Sequence, residues 1–291
     1  MSLPEEVLKQ VRWLDISTRK LVNNLFAGEY HTAFKGSGMT FAEFREYVPG
    51  DDVRSISWTL MARHGKPFIK KYDEERELTL MLAIDVSGSG DFGSGQFLKA
   101  EVIAYIAAVL GFSAAKNNDR IGLLLFSDQV ELYLPPKKGR GHVQLILSEI
   151  LSFKPKSKGT SLSVGIQHLF GVLKKRATVF LLSDFMDKDF NQDLKQLGRR
   201  HDAIAVLVQD PAEMAVPNMG LVQLHDAETD EMVVVDSASP LFQRLYKEKI
   251  STQVKSRDLE LRKAQVDCIR IVSGEKFIDP LVQFFQSRHR R

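Results

Sequence analysis

Asp85-Val86-Ser87-Gly88-Ser89 is the stretch of this chain whose residue types and spacing are best suited to chemistry. A carboxylate followed at two-residue steps by two hydroxyls offers three oxygen donors from one turn, and Gly88 and Gly90 allow the backbone to wrap tightly. Hard oxygen donors select Mg2+, Mn2+ or Ca2+ over soft metals. Thr160, after Gly159, and Asp184, after Ser183, are two further oxygen donors for the same ion. Taken singly, each residue has an ordinary explanation: the serines as turn residues, Thr160 and Asp184 as helix caps. The reading rests on their joint placement.

The same loop has a rival interpretation. Gly88-Ser-Gly90-Asp-Phe-Gly93 fits G-x-G-x-x-G, the fingerprint of a dinucleotide-binding oxidoreductase. Asp85 and Asp91 would then set negative charge beside a pyrophosphate. The acid after the second strand, Asp128, lies about 40 residues beyond Gly88, where about 20 is expected. The sequence contains neither a G-x-S-x-G elbow nor a P-loop Gly-Lys-Ser/Thr, and its histidines lack metal-ligand spacing. Its one cysteine, Cys268, rules out an intramolecular disulfide and a multi-cysteine zinc site. Cys268 sits in the apolar run 266–272 and reads as a buried thiol in a reducing compartment. Binding, not catalysis, is the expectation.

The elements that must position these residues follow from hydrophobic patterning. Apolar runs at 78–84, 121–126, 179–182, 203–208 and 267–272 predict buried strands, and the alternating 130–134 predicts an antiparallel partner strand. Helices are predicted at about 96–116, 142–152, 161–175, 190–200, 239–264 and 278–288, with a β-hairpin over 221–235 around Glu228-Thr229-Asp230. Strands alternating with helices indicate an α/β fold: a doubly wound, mostly parallel sheet with one antiparallel strand. In such sheets ligands bind beyond the carboxyl ends of the strands. Chain direction carries Asp85, Ser87, Ser89, Thr160 and Asp184 to that edge, although roughly 100 residues separate the outermost pair.

Asp-x-Ser-x-Ser, the Gly159-Thr160 loop and the strand-ending Ser183-Asp184 resemble the metal-ion-dependent adhesion site of von Willebrand factor A domains. The resemblance implies that the hydroxyls ligate one divalent cation directly or through water. The aspartates act largely through water, and one position stays open for a partner's carboxylate.

The chain before the domain reads differently. Residues 4–25 show helical spacing through Val7, Val11, Leu14, Leu21 and Leu25; residues 26–65 have no clean period, and 67–72 suits a short strand. The boundary is expected near residue 75, giving a helix and loop-rich segment over 1–75 and a von Willebrand factor A-like domain over 76–291. Phe41, Phe44-Arg45, Tyr47, Gly50-Asp51-Asp52, Arg54, Ile56-Ser57-Trp58, Ala62-Arg63 and the later Glu74-Glu75-Arg76 resemble the domain-of-unknown-function family fifty-eight. That family pairs such a segment with a von Willebrand A-like domain. Ser57 stands where the family has Asp, and Gly90 where it has Met, which alters loop packing and not the ligand set. Ion pairs among Arg45, Asp51, Asp52 and Arg54 are expected to fasten the segment to the sheet, with Phe44 and Trp58 anchoring it by burial; a second partner surface is the alternative. The resemblance also implies work with a MoxR-type AAA+ ATPase in protein assembly or maturation.

Charge and hydropathy bound the rest. A net charge of +3 over 291 residues gives little support to nucleic-acid binding, the third reading. Lys154, Lys156 and Lys158 precede Thr160 and should lie at the metal edge, where they would steer an acidic partner; Lys137, Lys138 and Arg140 should lie opposite. The apolar run 102–115 is shorter than the roughly 18 residues a membrane span needs. The N-terminal stretch is broken by charges, so a cytoplasmic protein without membrane insertion is expected.

Overall fold

The first helix, α1 (Glu5–Asn24), turns its apolar stripe inward: Val7, Val11, Leu14 and Val22 are buried, while Trp13 and Ile16 on its other faces are exposed. Thr18 belongs to the same stripe, its hydroxyl donating to the Leu14 carbonyl at 2.7 Å. The computed structural model describes residues 5–24, 40–73, 77–87, 99–157, 159–187, 190–214, 216–225, 232–273 and 278–289. By their contacts the described residues of 1–34 and 79–291 form one unit, and those of 35–78 another.

The smaller unit is a two-stranded antiparallel sheet, β1 (Thr40–Glu46) against β2 (Phe68–Asp73), joined through a 3-10 turn at Val53–Ser55 and the helix α2 (Trp58–His64). The strand β1 escaped sequence reading because a register shift between Phe41 and Glu43 breaks its alternation. The acids of this segment make their contacts within it. Asp51 accepts from Arg45 at 2.8 Å and from the Val48 amide at 2.9 Å, and Asp52 caps the 3-10 turn through the Arg54 amide at 2.9 Å. These carboxylates therefore brace their own loop, whose turn at Gly50 has φ +112°. Trp58 is 65% exposed and Phe44 42%. The Glu74-Glu75-Arg76 stretch lies outside the described residues.

The larger unit is built on six strands, β3 (Thr79–Asp85), β4 (Arg120–Phe126), β5 (Val130–Lys137), β6 (Thr178–Ser183), β7 (Asp202–Gln209) and β10 (Asp267–Val272), in the order β10-β7-β6-β3-β4-β5. All neighbours are parallel except β4 and β5. The fold is thus the expected α/β sheet with one antiparallel edge strand. Strands β3, β4 and β6 read as near-continuous apolar runs because both of their faces are covered. The helices are α3 (Lys99–Lys116), α4 (Arg140–Ser152), α5 (Leu162–Val172), α6 (Asn191–Arg200), the single turn α7 (Pro211–Met214), α8 (Pro240–Ala264) and α9 (Ile278–His289). Most of α3 is buried, since it packs on the sheet and is covered in turn by α1 and α4. Trp13 meets Tyr105 edge-on at 6.3 Å, Lys116 donates to Asn23 at 3.0 Å, and Arg140 pairs with Asp15. The hairpin strands β8 (Leu221–His225) and β9 (Met232–Asp236) pair as expected, and their tip lies outside the described residues.

One close approach positions the site edge. Gly165 in α5 lies against the fully buried Phe126 ring, and a Cβ there would stand 2.8 Å from two ring carbons. Phe126 is the register partner of Asp85. Gly165→Ala is expected to cost about 1–3 kcal/mol by overpacking, read as a lowered denaturation midpoint; an unchanged midpoint would show that the ring yields freely.

Candidate metal centre

Strand β3 has β4 on one side and β6 on the other, so chain order reverses around it, and the crevice of a doubly wound sheet opens at such a point. Asp85 ends β3, and Asp184 follows β6 directly. The register pairs Ile84 with Leu182, which sets Asp85 level with Ser183. Parallel pairing therefore delivers both aspartates to one edge.

The Asp85 carboxylate is 7% exposed and locked in place. Its Oδ1 accepts from the Ser87 amide at 3.0 Å, and its Oδ2 accepts from the Ser183 hydroxyl at 2.8 Å. Ser183 in turn takes a hydrogen bond from the Phe185 amide at 3.0 Å, which requires a sharp turn; Phe185 adopts φ +55°, a left-handed conformation costly for a non-glycine residue. Phe185 is held in it by burial and by edge-on packing with Phe190 at 5.9 Å. The Met186 amide donates to Asp184 Oδ1 at 3.1 Å, fixing the second carboxylate. Burial first, and then the negative charge of Asp184, push the Asp85 carboxyl from an ordinary 3.8 up to about 6, against its hydrogen bonds.

Ser87 is buried beside Asp85. Thr160 reaches the same edge through its neighbours: the Ser161 amide donates to the Ser127 carbonyl at 3.0 Å just past β4, and the Leu162 amide donates to Asp187 Oδ2 at 2.8 Å. The loop carrying Thr160 is thereby tied to the loop carrying Asp184. Ser89 lies outside the described residues, as do Gly88, Gly90, Asp91 and Gly93 of the rival dinucleotide reading. Among the described residues no three His, Cys, Asp or Glu side chains are grouped to hold a metal. A cation at this edge would rest on hydroxyls and two carboxylates, a donor set that fits a hard ion.

Lys154 and Lys156 are exposed on the loop before Thr160, whose Lys156 and Ser157 amides both donate to Glu131 Oε1 at 3.2 Å. Lys158 lies outside the described residues. Lys137, by contrast, pairs with Ile121 near the start of β4 and so sits at the opposite edge.

Lys99, Glu213 and Arg257 escaped sequence reasoning. Lys99, at the start of α3, has a side chain only 3% exposed, and its Nζ lies 3.6 Å from Asp184 Oδ2 while also contacting Glu213 of α7. Nothing in helical periodicity shows that a lysine flanking an apolar run points back over the sheet edge. Arg257 of α8 also reaches the site, donating to the Asp184 carbonyl at 3.2 Å.

Residues 43–256 match the family described as Protein of unknown function DUF58. The chain belongs to the DUF58 family. This DUF58 protein is 29% identical over 222 residues to an uncharacterised protein of Mycobacterium tuberculosis strain H37Rv, covering 75% of this chain and 70% of the relative. An uncharacterised protein of Mycobacterium bovis gives the same figures. Among solved structures, the conserved hypothetical protein BatB from Bacteroides thetaiotaomicron aligns with 74% of the DUF58 protein and 100% of its own chain, at TM-score 0.50 and 13% identity, a likeness of fold alone. The SpRpn10 VWA domain aligns with 46% of this chain and 76% of its own, at TM-score 0.37 and 13% identity. The fold of this DUF58 protein is an α/β, mostly parallel six-stranded sheet with one antiparallel edge strand.

Proposed function

We propose that this DUF58 protein is a non-enzymatic interaction module that captures protein partners through one divalent cation held by Asp85, Ser87, Ser89, Thr160 and Asp184. Mg2+ is the proposed ion, with Mn2+ or Ca2+ as substitutes. One observation carries the reading: two carboxylates meet at the switch point, and the buried one is pushed up to about 6 partly by the other. A carboxylate disfavoured in this way is relieved by a cation. The surrounding hydroxyls supply neutral oxygen donors, leaving an open position for a partner's acidic side chain. The exposed Lys154 and Lys156 would steer that acid inward.

Kinship supports the finer proposal that a MoxR-type AAA+ ATPase is the working partner in protein assembly or maturation, in the cytoplasm. Among the described residues no helix is long and apolar enough to cross a membrane.

Calorimetric titration with Mg2+ and Mn2+ tests the site. The wild type is expected to bind one ion, and Ser87→Ala or Thr160→Ala to bind it at least about tenfold more weakly, a loss of roughly 1.4 kcal/mol. Equal affinities would refute the assignment. Capture of the ATPase should disappear in EDTA, and capture that survives EDTA would reject the cation-dependent part.

A further inference from the structure

Lys99 is a charged group in a costly place. An ammonium removed from water is retained only where opposite charge meets it. Here two carboxylates do so from neighbouring strand ends: Asp184 after β6, at 3.6 Å, and Glu213 in the turn after β7. The ammonium lies against Glu213 and also faces Asp184 at 3.6 Å, so it touches both acids but is nearer the first. Glu213 is held in turn, its Oε2 accepting from the Asp210 amide at 3.1 Å.

The charges at this edge are unequal. Among the described residues, the carboxylates of Asp85, Asp184 and Glu213 gather near the one ammonium of Lys99. Among the described residues, the guanidinium of Arg257 meets the site at the Asp184 carbonyl and is paired with Asp258 at 3.4 Å. A divalent ion would be drawn to the carboxylates at this edge. Asp184 Oδ2, however, already faces Lys99, and two cations on one carboxylate repel.

We propose that Lys99 is an internal counter-cation that competes with the divalent ion for Asp184, and that Glu213 sets the ion affinity by drawing the ammonium away. The inference rests on the cation reading of the site. Lys99 rests against Glu213 and still reaches Asp184, so an ion arriving at Asp184 would press the ammonium further onto Glu213. The short helix α7 would thereby feel whether the edge is loaded.

The test is titration of Mn2+ and Mg2+ into the full chain by calorimetry, at fixed pH and salt, for the wild type, Lys99→Met and Glu213→Gln. Lys99→Met is expected to bind about tenfold more tightly and Glu213→Gln about fivefold more weakly, since in the latter the ammonium is left on Asp184 alone. A merely structural lysine predicts the opposite sign or no change for Lys99→Met, and that result overturns the proposal. Circular dichroism and a thermal melt establish that each variant is folded. Should Lys99→Met fail to fold, Glu213→Gln decides alone, and affinity equal to or above wild type overturns the proposal. Absence of binding by the wild type overturns both this inference and the cation reading. Wild-type binding with unchanged variants overturns only this one.

Discussion

Asp85→Asn is expected to raise the stability of the cation-free protein at neutral pH and to abolish its stabilisation by Mg2+. The folded protein holds the Asp85 proton more tightly than the unfolded chain, with a value near 6 against 3.8. The favourable contribution of the neutral acid is therefore complete below pH 3.8 and is lost as pH rises through about 6. A rise of that size corresponds to about 3 kcal/mol for this buried group. Asparagine never ionises, so it avoids the loss. It gives back about 1 kcal/mol, because its amide nitrogen replaces an oxygen that accepts from Ser87 or Ser183. The net gain of about 2 kcal/mol should raise the melting temperature at pH 7 and vanish at pH 4. In the wild type, added Mg2+ should recover the difference by binding the folded state. A variant that melts below wild type at pH 7 without ions would show that the buried charge is not a burden, and the electrostatic case for the site would fail.

The second large effect concerns α1. A chain begun at residue 76, where the sequence places the domain boundary, lacks Val7, Val11, Leu14 and Val22, all buried in the whole chain. At roughly 1.5–3 kcal/mol for each buried aliphatic side chain, the loss approaches 6–12 kcal/mol. That is comparable to the whole stability of a typical domain, about 5–15 kcal/mol. The shortened chain is expected to lose cooperative unfolding and to aggregate through the uncovered faces of α3 and α4. Leu14→Asp isolates the cause, because it leaves residues 40–73 intact; it should lower the stability by several kcal/mol, read as a lower denaturation midpoint. A shortened chain melting cooperatively within a few degrees of the full one would reduce α1 to an accessory.

What was legible in the sequence follows from the physics of each element. Strands β3, β4, β6 and β7 bury both faces, so their apolar runs were unmistakable, and their direction alone took Asp85 and Asp184 to one edge. The stripe on α1 was found, but Thr18 and Val22 carry it onward while Leu21 is only half-buried, and Leu25 lies outside the described residues. A single side-chain hydrogen bond to Leu14 lets a threonine sit where only apolar residues were sought. Where α1 would pack could not be read, because an amphipathic stripe does not name its partner. Strand β1 was hidden by its bulge, and the roles of Asp51 and Asp52 by the fact that a carboxylate beside an arginine looks the same whether it braces its own loop or a distant one. Lys99 and Glu213 were missed for a related reason. Their importance lies in the crossing of α3 over the ends of β6 and β7, which is a tertiary fact.

The distance along the chain between α1 and its docking face has a consequence for how the protein is made. Asp15 and Arg140 stand 125 residues apart in sequence and touch in the fold. At ribosomal speeds of roughly 5–20 residues per second, α1 waits on the order of 6–25 seconds for α4 to be synthesised. Throughout that interval its valines and leucine lack their complete docking face. The nascent chain is then a natural client for holdase chaperones, and slowing translation between residues 24 and 140 should lower the yield of folded protein more than slowing it beyond residue 152.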